Sequence, residues 1–269
     1  IWRQGINDTL FNLNEGLHNF RRTLTDDARR RSVFVGYNGG HVLPTLYPSI
    51  RDDAALGGQD ACSFGSFGDL RLAFFEAVLQ GVGNPGAALR REQPGLRRYN
   101  LTTDDNAGCI RSDSLPGLTT HPAGADVDLV VDQIEDGWAT TTGAGVATHV
   151  EVDGIEGPAT ITGIPQLTGQ VAAAGVDQRA FFGLSRGTSP TDAQLIQAQL
   201  TPLRVLAPSA DVTVPFELEL AGVAVELKEG EKLFLTVTPF SEQFHGHGST
   251  RTPGWLGFTN LEVHLPVAR

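Results

Sequence analysis

The chain of 269 residues has no methionine, few cysteines and lysines, and no long apolar run. Because methionine is absent, we expect that Ile1 is not a translation start and that further sequence precedes it. No stretch of about twenty apolar residues is present, so no membrane-spanning helix is predicted. Acidic residues outnumber basic ones, and the net charge of -11 disfavours nucleic acids and anionic membrane surfaces as partners.

The rest of the composition is that of a globular protein. Hydrophobic residues make up 40% and charged residues 19%, which excludes a disordered chain, and 32 glycines with 15 prolines favour a β-rich part. The two cysteines, Cys62 and Cys109, lie in loops rich in Gly, Asp and Ser. Paired as a disulfide they would indicate an extracellular or secreted protein, whereas as two thiols they leave a cytoplasmic location open. No cofactor or metal is predicted.

The first part of the chain alternates strand and helix patterns. Residues 1–7 have an apolar start followed by Gly5 and predict a strand, and 9–22 carry leucines and a phenylalanine at helical spacing, with Asn12 or Asn14 as the cap. A short apolar strand follows at 32–37. Further on, 70–79 predicts a second helix and 97–102 another strand. This order predicts an α/β unit over residues 1–118.

After a linker rich in proline and glycine, the pattern changes to short strands separated by turns. Several short strands at regular spacing predict a β-sandwich or jelly roll over residues 119–269. The predicted strands are 159–164, 166–172, 179–184, 195–203, 212–220, 233–238 and 261–267. The fold class is therefore α/β followed by all-β.

An acidic residue and a histidine follow the first two predicted strands. Asp8 comes after Gly5, and His41 comes after Gly39 and Gly40. The two residues are 33 positions apart, which leaves room for a helix between two parallel strands. A catalytic histidine needs a carboxylate that holds its tautomer and stabilises the imidazolium. A histidine after two glycines is often an ordinary loop residue. The presence of both an acid and a histidine after successive strands favours a catalytic pair.

The segments around this pair resemble a known family. Gly5-Ile6-Asn7-Asp8-Thr9-Leu10-Phe11 and Gly39-Gly40-His41 are similar to motifs of the cocaine esterase / X-Pro dipeptidyl peptidase group of serine acyl hydrolases. The resemblance implies the C-terminal portion of an α/β-hydrolase domain followed by a jelly-roll domain. It also implies that Asp8 is the triad acid and His41 the triad base, in an enzyme that cleaves an ester or amide of a small acyl or peptide substrate.

The resemblance also implies what lies outside the chain. Triad order in this fold is Ser, then the acid, then His, so the nucleophile and the oxyanion hole would come from the upstream N-terminal portion of the same hydrolase. The chain alone is therefore expected to be inactive. By the same analogy, the jelly-roll residues Phe240, Phe244 and Trp255 would line the substrate pocket.

Two other motifs are weaker. Gly183-Leu184-Ser185-Arg186-Gly187 matches the G-x-S-x-G nucleophile motif, but it follows His41 and lacks the strand–turn–helix context, since Pro190 comes soon after it. His245 and His247 lie in a glycine-rich loop without further ligands, so no metal site is predicted there.

Two alternatives to an enzyme remain open. The jelly roll could be a non-catalytic binding module for carbohydrate or protein, which exposed aromatic residues in a groove would favour. The chain could also be a processed subunit of a larger assembly, in which case the missing segment would co-purify with it.

Overall fold

The computed structural model describes residues 1–40, 61–62, 67–81, 84–131, 147–205, 210–241, 244 and 253–268. The described part of the chain is mostly β-structure, and its helices all lie before residue 93. The helices are α1 (Leu13–Arg22), α2 (Asp26–Arg30), α3 (Phe67–Leu79) and α4 (Pro85–Glu92). None of these helices has the length and apolar character needed to cross a membrane.

The first sheet has four strands in the order β1-β2-β3-β4. These strands are β1 (Trp2–Gly5), β2 (Phe34–Tyr37), β3 (Tyr99–Thr102) and β4 (Cys109–Ser112). The first three strands are parallel, and β4 pairs antiparallel with β3. Helices α1 and α2 connect β1 to β2. Because these two strands are parallel, their carboxyl ends lie at the same edge of the sheet.

Helix α1 starts later than the sequence pattern predicts. The side chain of Asp8 accepts hydrogen bonds from the backbone N–H groups of Leu10 and Phe11, and this turn keeps those residues out of the helix. Asn12 then caps the helix by accepting from the N–H of Asn14 at 3.0 Å. The helix therefore begins at Leu13, four residues after the predicted start.

One face of α1 is buried against the first sheet. Leu13, Leu17 and Phe20 are fully buried, at the spacing of successive helical turns. The ring of Phe20 meets Phe34 of β2 and Tyr99 of β3 edge to face, with both ring centroids 5.5 Å away. These contacts hold the helix on the sheet, so the turn before it is held as well.

The two cysteines form a disulfide in the structure. Cys62 is fully buried and Cys109 begins β4, with their Cα atoms 4.7 Å apart. The guanidinium of Arg111 donates to the carbonyl of Cys62 at 2.8 Å. Of the two alternatives that the sequence leaves open, the structure has the bonded one.

Three antiparallel groups of strands make up the rest of the structure. One sheet has the order β11-β10-β15-β7, with β12 also beside β10, and a second has the order β13-β9-β16-β5, with β6 also beside β16. A smaller sheet has the order β14-β8-β17. The bounds are β5 (Thr119–Pro122), β6 (Val127–Val131), β7 (Thr148–Glu156), β8 (Ala159–Gly163), β9 (Gln166–Ala174), β10 (Gln178–Gly187), β11 (Gln194–Leu195), β12 (Thr201–Val205), β13 (Val214–Glu219), β14 (Val223–Leu227), β15 (Lys232–Thr238), β16 (Gly254–Leu265) and β17 (Val267–Ala268).

The two larger sheets share one apolar core. Phe182 of β10 packs edge to face on Phe258 of β16, with ring centroids 5.1 Å apart, and Phe216 of β13 meets the same ring at 5.9 Å. Leucine and valine side chains of β7, β9 and β15 complete this core. The alternation of half-buried and exposed residues in β13, and of buried and more exposed residues toward the end of β16, fits strands with one face on the core.

One predicted strand is wrong. The pattern predicts a continuous strand over 195–203, but the chain leaves β11 at Leu195 and forms a 3-10 turn over Ile196–Ala198 before β12 begins. Gln197 and Ala198 have φ values of 56° and 51°, in the left-handed region that breaks a strand. This turn carries the chain toward the first sheet.

An ion cluster joins the first sheet to the strands that follow. Arg186 of β10 binds Asp104 at 3.0 Å, Glu231 at 3.3 Å and Asp105 at 3.4 Å, while Lys228 binds Asp105 at 3.3 Å. Asp104 and Asp105 follow β3, so their contacts with Arg186 link the two parts of the structure. The N–H of Asp104 also donates to the carbonyl of Ala224 at 2.9 Å.

The two aspartates of this cluster differ in their acidity. Burial raises the pKa of Asp104 above its ordinary value, against the opposing charge of Arg186. Burial also acts to raise the pKa of Asp105, but hydrogen bonds from Ala107, Thr103 and Lys228 and the charge of Arg186 together lower it to about 2. Arg186 is therefore the cation that keeps a crowded group of carboxylates compatible with burial.

Substitution of Arg186 should destabilise the protein strongly. Arg186→Met leaves Asp104, Asp105 and Glu231 without their shared cation, and we expect a loss of about 3 kcal/mol in the free energy of unfolding. Urea unfolding of the full-length protein measures this change in the free energy of unfolding. The matched control is Arg204→Met, which breaks an exposed pair with Asp177 and should shift the midpoint little. Equal effects of the two substitutions would contradict the role of the cluster.

Candidate active site

The carboxyl ends of β1 and β2 are joined beyond the strands themselves. The N–H of Ile6 donates to the carbonyl of Tyr37 at 3.0 Å, and the N–H of Asn7 donates to the carbonyl of Gly39 at 3.1 Å. The side-chain amide of Asn7 donates to that of Asn38 at 2.8 Å. The two segments singled out in the sequence therefore lie side by side.

Two glycines allow this close approach. A Cβ atom on Gly5 would lie 2.1 Å from the carbonyl oxygen of Gly39, and a Cβ atom on Gly40 would lie 2.4 Å from the Cα atom of Asp8. Both distances are too short for any side chain. The chain just before His41 thus passes directly against the backbone of Asp8.

Asp8 is buried, with 3% of its surface exposed. Its Oδ1 atom accepts hydrogen bonds from the N–H groups of Leu10 at 3.0 Å and Phe11 at 2.9 Å. A buried carboxylate without such donors would be costly, and these two donors also fix its orientation. The carboxylate is therefore held in a fixed orientation just after the end of β1.

The sandwich also binds the turn that carries Asp8. The side-chain amide of Gln199 donates to the carbonyl oxygens of Ile6 at 3.1 Å and Asp8 at 3.0 Å. Gln199 is itself buried, with 3% of its surface exposed, and lies between the 3-10 turn and β12. A residue distant in sequence by nearly two hundred positions thereby satisfies two backbone acceptors at the candidate site.

The 3-10 turn beside Gln199 is strained. Left-handed φ values at two successive residues other than glycine, Gln197 and Ala198, are uncommon and cost free energy. Gln197 is 6% exposed, and neither polar atom of its side-chain amide has a hydrogen-bond partner among the described residues. Strain of this kind persists only where surrounding contacts enforce it.

The predicted catalytic base lies outside the described residues. His41 follows Gly40, the last described residue before a gap. Of the predicted pair, the structure therefore describes Asp8, together with the backbone that leads into His41.

The predicted pocket residues lie in or beside two different sheets. Phe240 and Phe244 follow the end of β15, and the Phe244 ring packs on Phe181 of β10 with centroids 5.3 Å apart. Trp255 is near the start of β16, in the other large sheet, and is half-buried. Their role at a substrate pocket stays a prediction.

Ser185 has the environment of a structural residue. It lies inside β10, is fully buried, and its hydroxyl hydrogen-bonds with that of Thr236 on β15. The nucleophile motif requires a sharp turn between a strand and a helix, and this strand continues to Gly187. The other rejected motif, with His245 and His247, lies outside the described residues.

Sequence reasoning missed Gln199 and Arg186 as parts of this region. Gln199 lies in a segment whose pattern predicts an ordinary strand. Arg186 draws attention only through the G-x-S-x-G match. One local signal is present at Arg186, which is a charged residue in an otherwise apolar strand. A charge in a buried strand needs partners, so this position predicts an ion pair.

Comparisons with known proteins find similarity in structure alone. No family model matches the sequence, and no curated protein matches it. Among solved structures, a CocE/NonD family hydrolase from Staphylococcus aureus matches with a TM-score of 0.63 at 12% identity, covering 99% of this chain and 54% of that one.

Two further structures give the same picture. An α-amino acid ester hydrolase matches with a TM-score of 0.62 at 12% identity, over 99% of this chain and 55% of its own. An aminopeptidase from a marine sediment Thaumarchaeota archaeon matches with a TM-score of 0.58 at 12% identity, over 98% of this chain and 54% of the aminopeptidase. The chain thus spans about half the length of these structures. The resemblance to cocaine esterase-type hydrolases that the motifs predict is confirmed at the level of the fold.

Proposed function

We propose that the chain is the C-terminal portion of a serine hydrolase that cleaves an ester or amide. Residues 1–118 would belong to its α/β-hydrolase domain and residues 119–269 would form its jelly-roll domain. One observation carries the proposal: the ends of β1 and β2 lie together, with the Asp8 carboxylate fixed by two N–H groups and Gly40 against the Asp8 backbone. The fold shared with several hydrolases supports it.

The proposed chemistry divides the work among three residues. A serine from the upstream portion attacks the acyl carbonyl, and His41 accepts its proton and later passes it to the leaving group. The second oxygen of Asp8, Oδ2, accepts the Nδ1–H of His41 and so fixes the tautomer and stabilises the imidazolium. The oxyanion hole also comes from the upstream portion.

This division means that the chain has no activity by itself. In this proposal Asp8 orients the His41 ring and His41 transfers the proton, but neither residue supplies the nucleophile. Turnover of a nitrophenyl acyl ester by the 269-residue chain alone, lost on His41→Ala, would contradict the proposal.

The substrate class is an ester or amide of a small acyl or peptide group. The similar structures include an ester hydrolase and an aminopeptidase, so their names support both bond types. We propose that Phe240, Phe244 and Trp255 provide apolar surface toward the acyl group. The disulfide between Cys62 and Cys109 supports a location outside the cytoplasm.

The contacts between the first sheet and the sandwich favour this proposal over an independent binding module. Arg186, Gln199 and Glu219 all use their side chains to bind residues of the first hundred or so positions. A module that acted alone would have little need for buried polar contacts of this kind. The alternative of a processed subunit would be supported if the upstream segment co-purifies as a separate chain.

A substitution of Asp8 in the full-length enzyme tests its proposed role as the triad acid. Asp8→Asn retains an oxygen for the Leu10 and Phe11 N–H groups but places an N–H donor toward His41, which favours the wrong tautomer. We expect kcat for a nitrophenyl ester to fall by about 10⁴-fold with little change in KM. Asp211→Asn, an exposed position, is the matched control. Near-normal turnover by Asp8→Asn would remove Asp8 from the triad.

The second prediction concerns Gln199 as a positioning residue. Gln199→Leu keeps the volume but leaves the buried carbonyls of Ile6 and Asp8 without their donor, which should cost about 1–3 kcal/mol of unfolding free energy. Because the Asp8 turn then shifts, we expect kcat to fall about tenfold or more and the pH profile of kcat to move. Gln194→Leu, exposed on neighbouring β11, is the control. A stability loss with unchanged kcat and pH profile would show a purely structural role.

A further inference from the structure

A cavity of about 520 Å³ lies between the end of α1, the start of the jelly-roll region and the sheet strands behind them. Its polar lining comes mainly from α1 and α2, and its apolar lining comes from the linker before β5 and from the strand ends opposite. The volume is large enough for a small organic molecule.

The positive lining of this cavity is unusual in a protein with a net charge of -11. Arg21, Arg22 and Arg29 all line it. Arg21 and Arg22 are exposed at the end of α1, and no residue in the described part of the chain forms an ion pair or hydrogen bond with either side chain. The guanidinium groups of Arg21 and Arg22 are therefore both available to an incoming anion.

Arg29 adds a buried donor. One of its terminal nitrogens donates to the carbonyl of Leu24 at 3.0 Å, and the same nitrogen lies 3.3 Å from Asp26. Its Nε atom is buried and has no hydrogen-bond partner among the described residues. Arg29 also lines the cavity, so its guanidinium adds a third positive charge to the wall.

Among the described residues of the lining, the one carboxylate is already paired. Glu219 accepts from Nε2 of His18 at 2.8 Å and from the side chain of Asn14 at 2.9 Å. Its negative charge is therefore directed at neighbours within the structure. The arginines that face the cavity keep an excess of positive charge.

The lining also includes the polar residues His18 and Gln166, and an apolar part. Leu115, Pro116, Leu118, Ile164 and Pro266 form this part of the wall. Arginine binds carboxylate and phosphate oxygens through paired N–H groups, and an apolar wall binds the carbon body of such a molecule. We propose that this cavity is a binding site for a small organic oxyanion, a carboxylate or a phosphate ester with an apolar body.

Helix α1 relates this site to the proposed catalytic acid. The helix begins just after the turn that contains Asp8 and ends at Arg22, and its ten residues span about 15 Å. Arg21 and Arg22 therefore lie about one helix length from the turn that contains Asp8, and the proposal does not depend on the hydrolase assignment.

Calorimetric titration of the full-length protein tests the site with two probes, phenyl phosphate and benzoate, and with benzyl alcohol and inorganic phosphate as references. We expect at least one aromatic anion to bind more tightly than both references, since the site recognises charge and apolar surface together. The tighter of the two aromatic anions identifies the oxyanion as phosphate or carboxylate. Affinity should fall as salt rises.

Variants locate the binding. The double substitution Arg21→Gln with Arg22→Gln should raise the Kd of the tighter anion at least tenfold, and both positions are exposed, so the fold should persist. Arg30→Gln, on α2 but outside the cavity lining, should leave the Kd within about twofold. Absence of saturable binding to the unmodified protein, or equal affinity in the double variant, would overturn the proposal.

Discussion

The hydrogen bonds from Gln199 to the carbonyls of Ile6 and Asp8 are the contact on which the candidate site depends. They fasten the turn after β1 to the sandwich, while the N–H groups of Leu10 and Phe11 fix the carboxylate within that turn. The turn cannot move without breaking buried hydrogen bonds on both sides. The region of antiparallel sheets is therefore part of the scaffold that holds the proposed acid in place.

The arginines of this chain illustrate two uses of one side chain. Arg186 is surrounded by Asp104, Asp105 and Glu231 and acts as an internal counter-charge between two parts of the structure. Arg21 and Arg22 have no such partners in the described part of the chain and face a cavity with an apolar wall. The first arrangement stabilises the fold, whereas the second leaves binding capacity for a molecule from outside.

Sequence patterns predicted those features that depend on neighbouring residues. The strand ends at Gly5 and Tyr37, the apolar face of α1 and the change to short strands after residue 115 all arise from local periodicity and turn chemistry. The start of α1 was placed too early because the Asp8 side chain competes for the first N–H groups. The strand over 195–203 was wrong because Gln197 and Ala198 adopt left-handed φ values that tertiary contacts impose. Gln199 and Arg186 were missed because their partners are far away in sequence.

The central claim is that Asp8 and His41 serve a serine supplied by the upstream portion of the same hydrolase. Labelling of the full-length protein with a fluorophosphonate probe, followed by mass mapping of the modified peptide, tests it most directly. The account predicts a single labelled serine before Ile1. Labelling of Ser185 or any other residue within these 269 positions, or no labelling of an active enzyme, would contradict it.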